Sequence, residues 1–166
     1  PATLSARARQ GIAVTTVPDI RWARCDLKTT MLLPACLAKQ AAKKAGAQEA
    51  WFVDEAGFVT EGASSNAWII THDRRVVTRP LGPEILGGVT RHTVMDVLKR
   101  FGIALEERAF RVEEALEAQE AFVTSASATV MPVVRINDRV IGTGSPGPVV
   151  EFLRARFGEV ATVSDP

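Results

Sequence analysis

The apolar residues of this chain come in short runs, mostly β-branched or aromatic, that stop at proline, glycine or Asx. That punctuation limits the fold to short strands joined by tight turns. Gly11 to Val17 reads as a strand ended by Pro18, and Glu49 to Val53 as a buried strand. Asp54-Glu55-Ala56-Gly57 turns the chain, so that Phe58-Val59-Thr60 returns as a hairpin partner. Ala67 to Thr71, Arg75 to Thr78, Ile103 to Phe110 and Glu120 to Ser125 continue the series. Val130 to Ile136 pairs with Arg139 to Ile141 around Asn137-Asp138.

Helical spacing interrupts these runs. Leu37, Ala38, Ala41, Ala42 and Ala45 share one face of a predicted helix, with Lys39, Gln40, Lys43 and Lys44 on the other. Pro34 sits near its first turn and Gly46 stops it. Leu86-Gly87-Gly88-Val89-Thr90 opens a second helix, in which Val94, Val97, Leu98 and Phe101 recur at helical spacing and Gly102 closes it. Val112 to Glu117 reads as a short acidic helix, and a last helix turns Val149, Val150, Leu153 and Phe157 inward. Ala2 to Gln10 carries no strong pattern. The expectation is one mixed α/β domain, for which 166 residues suffice.

Composition removes several function classes. With 20 basic and 19 acidic residues the net charge is +1, which argues against an extensive nucleic-acid-binding face. Two cysteines, Cys25 and Cys36, and two distant histidines, His72 and His92, make neither a disulfide framework nor a zinc site, so no metal is expected. The composition suits a reducing cytoplasm, no apolar run is long enough to span a bilayer, and no signal peptide opens the chain. Gly142-Thr143-Gly144-Ser145-Pro146-Gly147 imitates a dinucleotide loop, but Pro146 and Pro148 stiffen it and too little chain follows to complete a βαβ unit. Gly82 to Gly88 lacks the lysine of a phosphate loop. His72 in a polar turn and His92 in a helix's first turn read as surface residues.

The chemistry-bearing pattern is distributed. Thr60-Glu61-Gly62-Ala63-Ser64-Ser65-Asn66 puts a carboxylate, hydroxyls and an amide on a glycine turn before an apolar strand. Gly87-Gly88-Val89-Thr90 leads into a helix whose free amides and positive dipole end favour an anion. Thr124-Ser125-Ala126-Ser127 offers small residues and hydroxyls at a strand end, where backbone amides can approach a ligand. Lys28 stands where an extended stretch meets an apolar helix; desolvation there would free its amine to attack a carbonyl.

These segments match a family. Asp26-Leu27-Lys28-Thr29-Thr30-Met31-Leu32-Leu33-Pro34, followed by Leu37-Ala38-Lys39-Gln40, resembles the lysine segment of the class IV (fold type IV) pyridoxal-phosphate aminotransferases. Within them it looks most like the D-amino-acid aminotransferases. Thr60 to Asn66 resembles the glutamate turn, and Leu86-Gly87-Gly88-Val89-Thr90-Arg91 and Phe122-Val123-Thr124-Ser125 resemble the two phosphate segments. All four occur in the family's order within residues 19 to 142.

The resemblance implies a fold and a set of roles. The fold would be a mixed, β-barrel-like sheet core with surrounding helices, the large cofactor-binding domain of the family. Residues 1–11 would be left from an interdomain connection, residues 12–166 would form the large domain, and nothing would correspond to the family's smaller N-terminal domain. Lys28 would hold pyridoxal 5'-phosphate as a Schiff base and shuttle a proton between the substrate α-carbon and the cofactor. Glu61 would keep the pyridine nitrogen protonated. Gly88, Val89, Thr90, Ser125 and Ala126 would hold the phosphate, Leu86 would pack on the ring, and Ser64, Ser65 and Asn66 would sit beside it. Relatives often carry threonine where this chain has Ala126, which removes one hydroxyl contact.

The implied activity is amino-group exchange between an amino acid, a D-amino acid favoured, and a 2-oxo acid, in a cytoplasmic homodimer. A branched-chain L-amino-acid aminotransferase or an aminodeoxychorismate lyase is the alternative within the family. An alternative of another class is a cofactor-binding domain that does not turn over in this form.

Overall fold

In the computed structural model, which describes residues 2–161, nine strands join in one sheet. Pro1 and residues 162–166, the outer ends of the two expected segments, lie outside the described residues. Strand β1 (Ile12–Pro18) runs between β2 (Glu49–Val53) and β8 (Thr129–Ile136), parallel to both. β2 turns back into β3 (Val59–Gly62), and β8 lies antiparallel to β7 (Glu120–Ser125). β7 pairs with β4 (Asn66–Ile70), β4 with β5 (Val76–Thr78), and β5 with β6 (Leu105–Glu107). A short β9 (Arg139–Val140) folds back on β8 through Asn137-Asp138. The order is therefore β3-β2-β1-β8-β7-β4-β5-β6.

The sheet curls on itself. Past β6 the chain returns to β3, where Phe58 bridges Arg111 and the Val59 amide donates to the Phe110 carbonyl at 3.0 Å. The product is a mixed, curled half-barrel. Its closing segment also leaves β6 shorter than the run expected over Ile103–Phe110: the Arg108 amide still donates to the Thr78 carbonyl of β5 at 2.9 Å, after which the chain crosses so that Phe110 meets β3.

Period-two alternation sorts the side chains onto the two faces. Ile12 and Val14, Trp51, Ala67 and Ile69, and Val123 and Met131 meet in one core within the curl. Their neighbours in sequence point the other way and are covered by helices. Trp68, Ile70, Phe122 and Val130 pack under α3 (Val89–Arg100) and α5 (Pro148–Ala161). Ala13, Ala50 and Phe52 pack under Ala38 and Ala42 of α2 (Leu33–Lys44). Two helix layers on one face leave a gap between them, over the place where β3 gives way to β4. The functional cleft lies there.

Other details differ from the sequence reading for local reasons. Pro18 belongs to β1, opposite Val53, because a terminal strand position needs no donor from it. Leu37 of α2 is 51% exposed, so the apolar face narrows to the alanines that touch the sheet. Ala2–Gln10 forms helix α1, rich in the good helix formers alanine and arginine; Gly11, at φ 77°, ends it by donating to the Arg7 carbonyl at 2.7 Å. With Ala8 its main buried contribution, α1 has too thin an apolar stripe to register as a periodic pattern. The acidic helix appears as α4 (Val112–Leu116). Among the described residues no helix is long and apolar enough to cross a membrane.

Trp68 illustrates the packing. It is fully buried, stacks on Phe122 with ring centroids 5.3 Å apart, and donates from Nε1 to Thr124 Oγ1 at 2.9 Å. Trp68→Phe keeps most of the stack and loses the donor, so it should cost about 1–3 kcal/mol in urea unfolding. A change near zero would mean that water replaces the lost bond.

Candidate active site

The connection from β3 to β4 is a tight turn closed by the Gly62 amide donating to the Ser65 carbonyl at 2.6 Å. A Cβ at Gly62 would collide with Ser65 Oγ, so a turn this tight requires glycine. The turn puts Glu61 at the end of one strand and Asn66 at the start of the next, both buried and both facing the gap between α2 and α3. Asn66 Nδ2 donates to Glu61 Oε2 at 3.2 Å and to the Leu86 carbonyl at 2.8 Å, and the Leu86 amide donates to the same Oε2 at 3.1 Å. Ser64 and Ser65 turn their hydroxyls onto buried Glu49, at 3.1 and 3.0 Å, and Glu49 also pairs with Lys39 at 2.8 Å. The serines thus border the cleft with their hydroxyls already engaged.

Sequence reasoning missed the partner of Glu61. Arg21 donates from Nη1 to Glu61 Oε1, and grips Asp19 with Nε and Nη2 at 2.8 and 2.7 Å. Its guanidinium lies over the Phe52 ring, 4.4 Å from the centroid. Read by sequence, Arg21 is no more than part of the lead into α2. The available signal is the question of what neutralises a carboxylate on a strand buried along its whole length, with Arg21 and Arg24 the cations just before the lysine segment.

At the other side of the gap α3 begins. Its cap residue Gly88 is extended, and no side chain caps the helix, which leaves the first-turn amides to whatever enters the cleft. A Cβ on Gly88 would come within 2.7 Å of Asn66 Oδ1, so backbone and amide side chain are in close approach there. Thr90 is buried, Val89 is 74% exposed, and the end of β7 brings Ser125 and Ala126 alongside. Ser125 Oγ accepts from the Ala128 amide at 3.2 Å, and its own proton remains to be donated. His92 is exposed, with Nδ1 3.0 Å from the Gly88 carbonyl, and His72 is exposed in its turn.

These elements enclose a cleft of about 890 Å³. Lys28, Glu61, Ser64, Ser65, Asn66, Leu86, Gly88, Val89, Thr90, Ser125 and Ala126, the residues singled out in the sequence, all line it. One expectation needs correcting. Lys28 is exposed rather than desolvated, because the loop before α2 carries it over the cleft instead of burying it against the helix.

The electrostatics follow from burial. Burial works against the charge of Asp19, but hydrogen bonds from Arg21 and Thr60 outweigh it and hold the carboxyl below its usual range. For Glu61 burial prevails and pushes the carboxyl up to about 7, against the pull of Arg21 and the Leu86 amide. A folded-state value above the ordinary 4.5 means that the folded chain holds this proton more tightly than the unfolded one. The Glu61 contribution to stability is therefore full below about 4.5 and is lost as pH rises to about 7, with a slope of up to about 1.4 kcal/mol per pH unit. Urea unfolding across that window should show the decline, and Glu61→Gln should flatten it.

The donor set suits an aldehyde-bearing aromatic cofactor with a phosphate: an amine at the rim, a carboxyl acid at the floor, and an uncapped helix end beside small hydroxyl residues. The family model for amino-transferase class IV matches residues 2–136. The D-alanine aminotransferase of Bacillus licheniformis is 39% identical over 143 residues, covering 86% of this chain and 50% of its own length. That of Staphylococcus haemolyticus is 42% identical over 150 residues, covering 90% and 52%. Among solved structures, a T.th. branched-chain amino acid aminotransferase with pyridoxamine 5'-phosphate superposes with a TM-score of 0.85 at 30% identity, covering 96% of this chain and 53% of that one. The chain spans about half the length of the curated relatives it matches. Sheet, cleft and sequence agree: this chain belongs to the class IV aminotransferases and has their type IV fold.

Proposed function

We propose that the chain is the cofactor-holding part of an enzyme that exchanges an amino group between an amino acid, a D-amino acid favoured, and a 2-oxo acid, using pyridoxal 5'-phosphate bound in the cleft. The observation that carries this reading is the convergence of Lys28, Glu61 and the open start of α3 on one cavity. When bound, the cofactor supplies an electron sink for the substrate's α-carbon. Lys28 would supply the amine that anchors it and the base that moves the proton at that carbon. Glu61 holds the ring nitrogen's proton, with Asn66 and the Leu86 amide fixing one of its oxygens. The first-turn amides of α3, Thr90 and Ser125 receive the phosphate, and Leu86 bounds the ring.

The preference for D-amino acids rests on the likeness to D-alanine aminotransferases; the structural likeness to a branched-chain enzyme supports the L-specific alternative less strongly. Among the described residues that line the cleft the cations are Arg21, held by Asp19 and Glu61, and Lys28. No further cation is there to receive a substrate carboxylate, so this chain alone should load cofactor and transaminate poorly. We further read residues 12–166 as the cofactor domain with residues 1–11 as its connection, and the parent protein as a cytoplasmic homodimer. Exposed Met31, Leu32 and Leu33 beside the cleft favour a covered surface in that protein.

The test is to add pyridoxal 5'-phosphate, reduce with borohydride and find the modified residue by mass spectrometry. Label on Lys28 is expected; label on Lys43 with Lys28 untouched overturns the assignment. Amino transfer to 2-oxoglutarate then separates a transferase from a lyase, which would release pyruvate instead.

A further inference from the structure

A carboxylate that must meet a ring nitrogen in the plane of the ring has to be held at both oxygens, since a free carboxylate rotates. In this cleft the two oxygens of Glu61 are held from different segments. Oε2 receives the Leu86 amide and Asn66, while Oε1 receives Arg21. Arg21 is itself fixed by a fork that only a guanidinium provides. Its Nε and Nη2 edge is bidentate on Asp19, which leaves Nη1 aimed at Glu61. Asp19 is anchored in turn by the Thr60 hydroxyl at 2.7 Å, and Phe52 supports the guanidinium from below. The same side chain reaches the far loop, donating from Nη2 to the Glu84 carbonyl at 3.0 Å; nearby, the Cys25 amide donates to the Pro83 carbonyl at 2.7 Å. Arg21 therefore joins three parts of the site: the stretch that carries Lys28, the floor at Glu61, and the loop that leads to α3.

We propose that Arg21 is the positioning residue of this cleft, fixing the Glu61 carboxylate in the orientation that receives the cofactor ring. The inference rests on the reading of the cleft as a pyridoxal-phosphate site. It makes a demand that a merely structural arginine does not: the effect of Arg21 on loading must pass through Glu61. Lysine at this position would keep a positive charge but could not grip Asp19 and Glu61 together.

The experiment is a double-mutant cycle on cofactor affinity, using Arg21→Lys, Glu61→Gln and their combination, with the dissociation constant of pyridoxal 5'-phosphate taken from absorbance titration. Arg21→Lys should weaken binding by about tenfold when Glu61 is present, equivalent to about 1.4 kcal/mol. In the Glu61→Gln background the same change should have less than about a twofold effect. Should Arg21→Lys fail to fold, Asp19→Asn loosens the other grip on the guanidinium and is expected to show the same, smaller pattern. Equal weakening in both backgrounds, or no weakening in either, overturns the proposal. If instead the unsubstituted chain takes no cofactor at Lys28, the underlying reading fails first, and the two failures are told apart by that control.

Discussion

Lys28→Ala is expected to abolish borohydride-fixed attachment of pyridoxal phosphate in the cleft while leaving the chain as stable as before. Lys28 is exposed and has no hydrogen-bonding or ionic partner among the described residues, so its removal should change unfolding free energy by no more than about 0.5 kcal/mol. Its function is an amine at the mouth of a cavity whose floor and far wall suit the rest of the cofactor. Labelling in the variant should fall to that of an exposed helix lysine such as Lys43, and any half-reaction with an amino acid should slow by about 10²–10⁴-fold, the usual contribution of a positioned acid–base group. Persistent specific labelling in Lys28→Ala would falsify the site.

Arg21→Ala should do the reverse, with a large loss of stability. The Arg21 and Glu61 side chains are only 11% and 9% exposed, and removing one partner of such a pair leaves the other charged and desolvated. At pH 8 the cost should be about 3–5 kcal/mol in urea unfolding. At pH 5 it should be smaller, because Glu61, already pushed up to about 7, can take a proton once its cation is gone. Arg75→Ala is the control: it pairs with Asp73 and Glu106 on the surface, where water and salt replace the interaction, and no measurable change is expected. A pH-independent cost for Arg21→Ala would show that lost packing on Phe52 and the stranded Asp19 carboxylate, rather than Glu61, dominate.

The two substitutions also mark where the chain is easy to read and where it is not. Lys28, the Thr60–Asn66 turn and the Gly87–Thr90 helix start are local motifs, legible because glycine, proline and hydroxyl residues punctuate them within a few positions. The strands are legible for the same reason, and β2 agrees with its expected bounds. What escapes is non-local or weakly patterned. α1 has a face too thin to see, β6 is shortened by a closure with β3 that lies far off in sequence, and Lys28 is exposed because its loop overhangs the cleft. Arg21 passes unnoticed because a charged residue in an irregular stretch has no period to betray it, and its partner is 40 positions away.

What the amino-acid order determined by itself is the supply of parts: alternating strands that must bury two faces, two amphipathic helices, and four short segments with the chemistry of one cofactor. What only the tertiary structure decided is their meeting. Helices α2 and α3 cover separate parts of one sheet face, and the gap between them opens where the Gly62–Ser65 turn carries the chain from β3 at one edge of the sheet to β4. The pairing of Arg21 with Glu61 follows from that gap. A charge buried by the fold needs an opposite charge brought by the fold, and no local sequence rule specifies which one arrives.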